Sequence, residues 1–182
     1  MLRLIAENPQ LDVHWVVFSG DARRQAEARD SAAVFLAGAA KGQVVTNAFR
    51  DGFFPFQGEA VKAAFEELKR AFSPDLIFTH YRDDLHQDHR LINQLTWNTW
   101  RNHLILEYEI PKWDGDIGRP NWFVALDEAT SRQKIDALMT HFPSQAEKSW
   151  FTEETFRATL RLRGVEAGAH YAEGFYARKV VL

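Results

Sequence analysis

Two histidines in the segment His86-Gln87-Asp88-His89 are the residues of this chain whose type and spacing best suit chemistry. Side chains three residues apart project from the same face of a helix, so His86 and His89 can serve one site. Imidazole is both a zinc ligand and a proton donor or acceptor near neutral pH. The segment therefore predicts a metal-dependent hydrolase, although one histidine pair does not complete a metal site.

The residues before this segment indicate where it lies in the fold. Residues 74–79 have the composition of a buried strand, and a loop of ionisable side chains follows them, with His80, Arg82, Asp83 and Asp84. In open α/β sheets, ligands bind beyond the carboxyl ends of the strands. We therefore expect the histidine pair at such an edge. A catalytic role is one interpretation of Asp83 and Asp84. An equally good interpretation is that they cap the helix that carries the histidine pair.

Length and composition limit the classes of protein that this chain can represent. The 182 residues, 46% hydrophobic and 26% charged, predict one globular domain over residues 1–182. A formal net charge of −3 without a basic block argues against a nucleic-acid partner. No apolar run has membrane-spanning length and no signal peptide is visible, so the cytoplasm is the expected location. Because cysteine is absent, histidine and carboxylate must hold any metal.

Strands and helices alternate along the sequence, which predicts an α/β fold with a mostly parallel sheet. β-Branched and aromatic runs predict strands at residues 13–18, 43–48, 76–79, 104–110, 122–126 and 175–181. Apolar spacing and end signals predict helices at about residues 21–40, 59–72, 84–103, 129–142 and 153–163. Asp84 and Gln87 have the spacing of a capping box at the start of the histidine helix.

The first nine residues read as the last turns of a helix that Asn8-Pro9 ends. No predicted strand precedes this helix in the sequence. In a doubly wound sheet a first strand normally leads into such a helix. We therefore expect that the first strand of the fold is missing from this sequence.

Residues 74–90, PDLIFTHYRDDLHQDHR, strongly resemble the second signature of the LmbE/PIG-L-like zinc N-deacetylases. Weaker likenesses follow the family order, at Arg24-Gln-Ala-Glu27, Arg50-Asp51-Gly52, Lys134 with His141-Phe142-Pro143-Ser144-Gln145, and the ending AEGFYARKVVL. The resemblance covers nearly the whole chain. It implies a Rossmann-like three-layer sandwich of the LmbE type.

The resemblance also implies an activity and a set of site residues. The family removes an N-acetyl group from an N-acetylglucosamine-type sugar or glycoconjugate and uses zinc as cofactor. His89 then corresponds to a zinc ligand, and His86 to the acid that assists the tetrahedral intermediate, with Asp88 as its catalytic neighbour. Asp84 and Asp88 are also expected to orient the histidine rings as hydrogen-bond acceptors. The predicted substrate contacts are Arg24, Asp51 and Asp84.

A second family signature, Ala-His-Pro-Asp-Asp-Glu, does not occur in this sequence. In the family it supplies two further zinc ligands and the general base. We therefore expect this chain as written to bind zinc weakly or not at all. The two resulting interpretations are a shortened deacetylase and a catalytically inactive remnant or sugar-binding module of the same fold.

Three of the weaker assignments have ordinary structural alternatives. Arg24 and Glu27 have the spacing of a surface ion pair on a helix. Asp51 followed by Gly52 is a common turn sequence. His141 suits a cation at the carboxyl end of a helix better than it suits a catalyst.

Overall fold

Helices and strands alternate along the chain, which confirms the predicted α/β class. A computed structural model describes residues 1–180. The elements are α1 (Leu2–Glu7), β1 (Asp12–Ser19), α2 (Ala22–Phe35), β2 (Lys41–Phe49), α3 (Gly58–Ala71), β3 (Leu76–His80), α4 (Gln87–Thr99), β4 (Leu104–Tyr108), β5 (Trp122–Leu126), α5 (Glu128–His141), α6 (Glu153–Glu166) and β6 (Tyr171–Ala177). Short 3₁₀ turns lie at Phe54–Gln57 and Pro143–Gln145.

Within residues 1–180 the strands form two sheets. β1 pairs with β2, and the other four strands lie in the order β3-β4-β6-β5. β3 and β4 are parallel, with His80 opposite Tyr108. β4 and β6 are antiparallel, with Leu106 opposite Ala177. Alternation along the sequence identifies the strands but not their neighbours, because ladder partners are distant in sequence.

The chain divides into two compact units. The first contains residues 1–48 and 125–173, and the second contains residues 49–124 and those from 174 onward. In the first unit α5 packs against both α2 and α6, and Ile5, Ala32 and Leu36 form part of the core. In the second unit α4 packs against β3 and α3. Of the described helices, none has the length and apolar character that a membrane crossing requires.

The apolar face of α3 is buried as its spacing predicts. Val61 and Phe65 are fully buried, and the Phe65 ring lies 5.9 Å from the ring of Trp100 just beyond α4. Trp100 also stacks on Phe72 at a centroid distance of 6.4 Å. This contact holds the far end of α4, so the helix that carries the histidine pair rests on a packed base.

Several predicted boundaries differ from the structure, and two of the differences have a local reason. α2 ends at Phe35 instead of residue 40, because Gly38 adopts a left-handed φ of 93° soon after it. α4 ends at Thr99 instead of residue 103, where the buried Trp100 leaves helical geometry. β6 lies earlier than the predicted last strand, whose end at Val181 lies outside the described residues.

The start of α4 also differs from the predicted capping box. The N-cap is His86, whose ring Nδ1 accepts the Asp88 backbone N–H at 3.3 Å. Asp84 instead accepts the His86 backbone N–H at 2.8 Å. The predicted N-cap, Asp84, thus lies two residues before the observed N-cap, and its carboxylate bonds the His86 N–H.

Candidate functional site

His89 is the third residue of α4 and is held by Asp84, which lies in the connection between β3 and α4. The Nδ1 of His89 lies 2.9 Å from Oδ2 of Asp84. Asp84 is 2% exposed, and its other oxygen accepts the His86 N–H. An ionised carboxylate only accepts, so Nδ1 carries the proton and Nε2 of a neutral His89 is the free nitrogen. Metal-bound histidines commonly have this arrangement.

The charge of Asp84 is stabilised despite its burial. Burial by itself raises the pKa of Asp84, but the hydrogen bond and charge of His89, the His86 N–H and Lys112 outweigh it and lower the pKa to about 2. Asp84 is therefore a carboxylate at neutral pH. Its bond to His89 is consequently charge-assisted and stronger than a bond between neutral groups.

His80, the last residue of β3, stacks its ring on the ring of His89. The two rings are parallel within 2° with a centroid distance of 4.0 Å. Burial, together with the nearby His89, lowers the pKa of His80 well below its usual value, so the ring is neutral. Asn93 of α4 donates to the backbone oxygen of His80 at 2.7 Å. His80 therefore restricts the plane of the His89 ring from one side.

Asp88 is used to hold a neighbouring loop. It is 2% exposed, and its two oxygens accept the backbone N–H groups of Gly52 at 2.6 Å and Phe54 at 3.0 Å. The Gln87 side chain donates to the Gly52 carbonyl at 3.1 Å. Both backbone polar groups of Gly52 are thus bonded to the first turn of α4. The consequence is a fixed position for the preceding residue, Asp51.

Asp51 lies beside the histidine pair. Asp51, His86 and Asp88 each offer a ligand atom, and these atoms lie within 4.8 Å of one another. The rings of His86 and His89 have a centroid distance of 4.5 Å. Five of the six predicted site residues therefore come together in the second unit.

Arg24, the sixth predicted residue, lies at the start of α2 in the first unit. Its backbone N–H is bonded to Oδ1 of the N-cap Asp21 at 2.9 Å. Its predicted partner Glu27 is buried and lies 3.3 Å from Nε of Arg23. Glu27 also accepts the Ser144 backbone N–H at 3.1 Å and the Ser144 hydroxyl. Two family-like elements of the sequence therefore meet through Glu27 and Ser144.

Lys112 is the site residue that the sequence did not indicate. Its Nζ lies 3.2 Å from Oδ2 of Asp84, and its side chain is 6% exposed. It occurs 23 positions after His89 (112 minus 89) in a stretch without helical or strand periodicity. The available signal was the spacing of Asp114 and Asp116, two and four residues after the lysine.

The donor chemistry of these residues fits zinc in part. His89 fits as one ligand, because its other nitrogen is held by a carboxylate. The one described group of three histidine or carboxylate side chains close enough to share an ion is Asp51, His86 and Asp88, and it does not include His89. Within residues 1–180, His89 therefore supplies one ligand of the three that a catalytic zinc usually has.

The sequence profile described as PIG-L: GlcNAc-PI de-N-acetylase matches residues 7–100. That stretch is more than half of the 182 residues and includes the histidine pair. The chain belongs to the PIG-L family. The resemblance read from residues 74–90 is therefore confirmed.

Two solved structures have the same fold as this PIG-L chain. The conserved protein TT1542 from Thermus thermophilus is similar at 19% identity, with a TM-score of 0.72 over 100% of this chain and 87% of that chain. N,N'-diacetylchitobiose deacetylase from Pyrococcus horikoshii, in complex with its inhibitor MPG, is similar at 20% identity, with a TM-score of 0.70 over 96% of this chain and 75% of that chain.

A third similar structure catalyses a different reaction. GalB, the 4-carboxy-2-hydroxymuconate hydratase from Pseudomonas putida KT2440, has 17% identity and a TM-score of 0.75 over 100% of this chain and 89% of that chain. At these identities the likeness shows the fold, and the LmbE-like α/β fold of this PIG-L chain is confirmed. The reaction has to be argued from the site.

Proposed function

We propose that this chain is a metal-dependent hydrolase that removes an N-acetyl group from an N-acetylglucosamine-type sugar or glycoconjugate. The contact between Asp84 and His89 is the observation that carries the proposal, because it leaves Nε2 of His89 free to bind a metal ion. The family description, a de-N-acetylase of an N-acetylglucosamine lipid, supports the substrate class.

Amide hydrolysis requires a nucleophile at neutral pH and stabilisation of the charge that develops on the carbonyl oxygen. A bound zinc would supply both, since zinc lowers the pKa of a bound water to about 7 and polarises a carbonyl. His89 would hold one position of such an ion. His86, whose ring lies beside His89, is placed to stabilise the oxyanion and to protonate the leaving amine.

The carboxylates divide into a substrate contact and two orienting groups. Asp51 is exposed and lies beside His86, so it suits a hydrogen bond to a sugar hydroxyl. Asp84, predicted as a substrate contact, has both oxygens bonded within the protein and suits orientation of His89. Asp88, predicted as catalytic, suits orientation of the Asp51 loop. Arg24 stays a predicted substrate contact.

The test is acetate release by the full chain supplied with zinc. N-acetylglucosamine glycosides and their lipid conjugates are incubated with the chain, and acetate and free amine are both quantified. His89→Ala and His86→Ala should abolish release, while the control His170→Ala, at an exposed position of the first unit, should retain it. Absence of release from every substrate, or undiminished release by His89→Ala, overturns the proposal.

A sugar-binding module of the same fold is the second candidate. It is favoured by one observation, namely that His89 is not part of a three-donor group within the described residues. Such a module binds an acetylated sugar without hydrolysing it. Calorimetric binding without amine release supports this candidate, and the lack of any binding counts against it.

A further inference from the structure

Lys112 is a buried cation surrounded by carboxylates. Its Nζ lies 3.2 Å from Oδ2 of Asp84 and 3.8 Å from Oδ2 of Asp114, and it also bonds Asp116. The side chains of Lys112, Asp84 and Asp116 are each less than a tenth exposed. A buried charge is costly unless it is paired, so the position of this ammonium is set by its acidic partners.

Lys112 and His89 share one oxygen atom. Oδ2 of Asp84 pairs with the ammonium of Lys112 and accepts the ring N–H of His89, while Oδ1 accepts the His86 backbone N–H. Both oxygens of the carboxylate are therefore held. It cannot rotate away from His89 without breaking its bond to Lys112 or to the backbone.

The segment around Lys112 has a second attachment next to the histidine pair. Asp116 accepts the Leu85 backbone N–H at 2.8 Å and also bonds Lys112. Residues 112–116, here named the strap, are thus bonded to Asp84 through Lys112 and to Leu85 through Asp116. Asp84 and Leu85 directly precede His86, so the strap fixes the backbone that leads into His86 and the first turn of α4.

We propose that Lys112 is a positioning residue of the candidate site, which acts through Asp84 to keep the proton of neutral His89 on Nδ1 and to leave Nε2 open to a metal ion. The inference rests on the proposed function in assigning Nε2 to a metal. The path from Lys112 to His89 runs through one shared atom, Oδ2 of Asp84. A lysine that only stabilised the fold would not influence the tautomer of His89.

The test compares Lys112→Met with the control Lys62→Met in the full chain. Lys62 pairs with Glu66 on α3, so the control makes the same chemical change at an ion pair on a helix surface. Ring ¹⁵N chemical shifts report which nitrogen of His89 carries the proton, and His89→Gln identifies the resonances. We expect Nδ1–H in the wild type and in Lys62→Met, and a mixture of tautomers in Lys112→Met. Zinc affinity should fall about 10- to 100-fold in Lys112→Met alone.

Lys112→Arg covers the case in which Lys112→Met does not fold. Arginine retains the charge, but its planar fork cannot occupy the point position of the ammonium. We expect a folded chain with a partial shift of the His89 tautomer. Unchanged His89 ring shifts in a folded Lys112→Met, or in Lys112→Arg if the methionine variant is unfolded, overturn the inference whatever the activity. A wild type that has the Nδ1–H tautomer but releases no acetate overturns the proposed function and leaves the inference standing.

Discussion

The Gly52 backbone N–H donates to the buried Asp88 carboxylate at 2.6 Å, which joins the loop before α3 to the first turn of α4. Phe54 donates to the other oxygen of the same carboxylate. Asp88, the carboxylate between the two histidines in sequence, thus accepts hydrogen bonds from the backbone of a neighbouring loop. Through Gly52 it sets the position of Asp51, the exposed carboxylate beside His86.

Asp88→Asn should destabilise the second unit by about 2 kcal/mol. The asparagine amide keeps one acceptor oxygen but presents an NH₂ group to the other backbone N–H, which leaves a buried donor without an acceptor. Urea denaturation measures the change. The control Asp75→Asn, at an exposed position, should change stability by less than about 0.5 kcal/mol. Equal stability of the Asp88 variant and the wild type would contradict the assignment.

Gly52→Ala should lower the free energy of unfolding, measured by urea denaturation, by about 1–2 kcal/mol through backbone strain alone. Gly52 has a φ of 79°, in the left-handed region that disfavours a Cβ. An added Cβ has room, because its nearest neighbour would be Nε2 of Gln87 at 3.9 Å. Gly58→Ala is the matched control, since Gly58 is helical and a Cβ there meets nothing within 4 Å. The control should be neutral or stabilising, and equal effects at the two positions would refute the strain argument.

Glu27→Gln should destabilise the first unit by about 1–3 kcal/mol. The carboxylate accepts two bonds from Ser144 and lies 3.3 Å from Arg23, and an amide provides only one acceptor oxygen for these donors. Glu147→Gln changes an exposed glutamate in the same unit and serves as the control. Thermal unfolding compares the two. If the variants melt at the same temperature, the contact between Glu27 and Ser144 does not stabilise the unit.

Local patterns predicted the elements well where one short segment decides the structure. The strand at residues 122–126 has the predicted bounds, and the spacing of Val61 and Phe65 placed both in the core. α2 ends earlier than predicted, because the Ala-rich sequence continues past Gly38, where the backbone is no longer helical. The order of strands in the sheet could not be predicted from local patterns, because the pairing between β4 and β6 joins residues about 70 positions apart.

The candidate site was predictable to the extent that it lies in one stretch of sequence. His86, His89 and Asp84 fall within six consecutive residues, so a helix and its preceding turn bring them together. Lys112 joins them only through tertiary structure. The same limitation explains the role of Asp88, whose partners Gly52 and Phe54 lie more than 30 residues earlier. Spacing can place a carboxylate near a histidine, but it does not reveal which group the carboxylate bonds.

Acid should weaken the first unit through Glu173, which pairs with Lys134 of α5. Burial by itself raises the pKa of Glu173, but the charges of Lys134 and of the Met1 amino group, together with the hydrogen bond from Lys134, outweigh burial, so the pKa lies below its usual 4.5. Because the folded-state pKa is lower than that of the unfolded chain, the carboxylate favours folding above about pH 4.5. This contribution is lost as the pH falls from there through the folded-state pKa.

Glu173→Gln should therefore lower the unfolding free energy at pH 7 and reduce its dependence on pH below about 5. The two chains should approach each other at a pH below both pKa values, where the wild-type carboxyl is also neutral. Urea denaturation at a series of pH values between 7 and 3 measures both effects. Glu147→Gln is the control, since it makes the same change at an exposed glutamate of the same unit. An exposed substitution of this kind should change stability by less than about 0.5 kcal/mol, so the control should follow the wild-type curve. A Glu173→Gln curve that runs parallel to the wild type at every pH would show that this carboxylate does not couple folding to protonation.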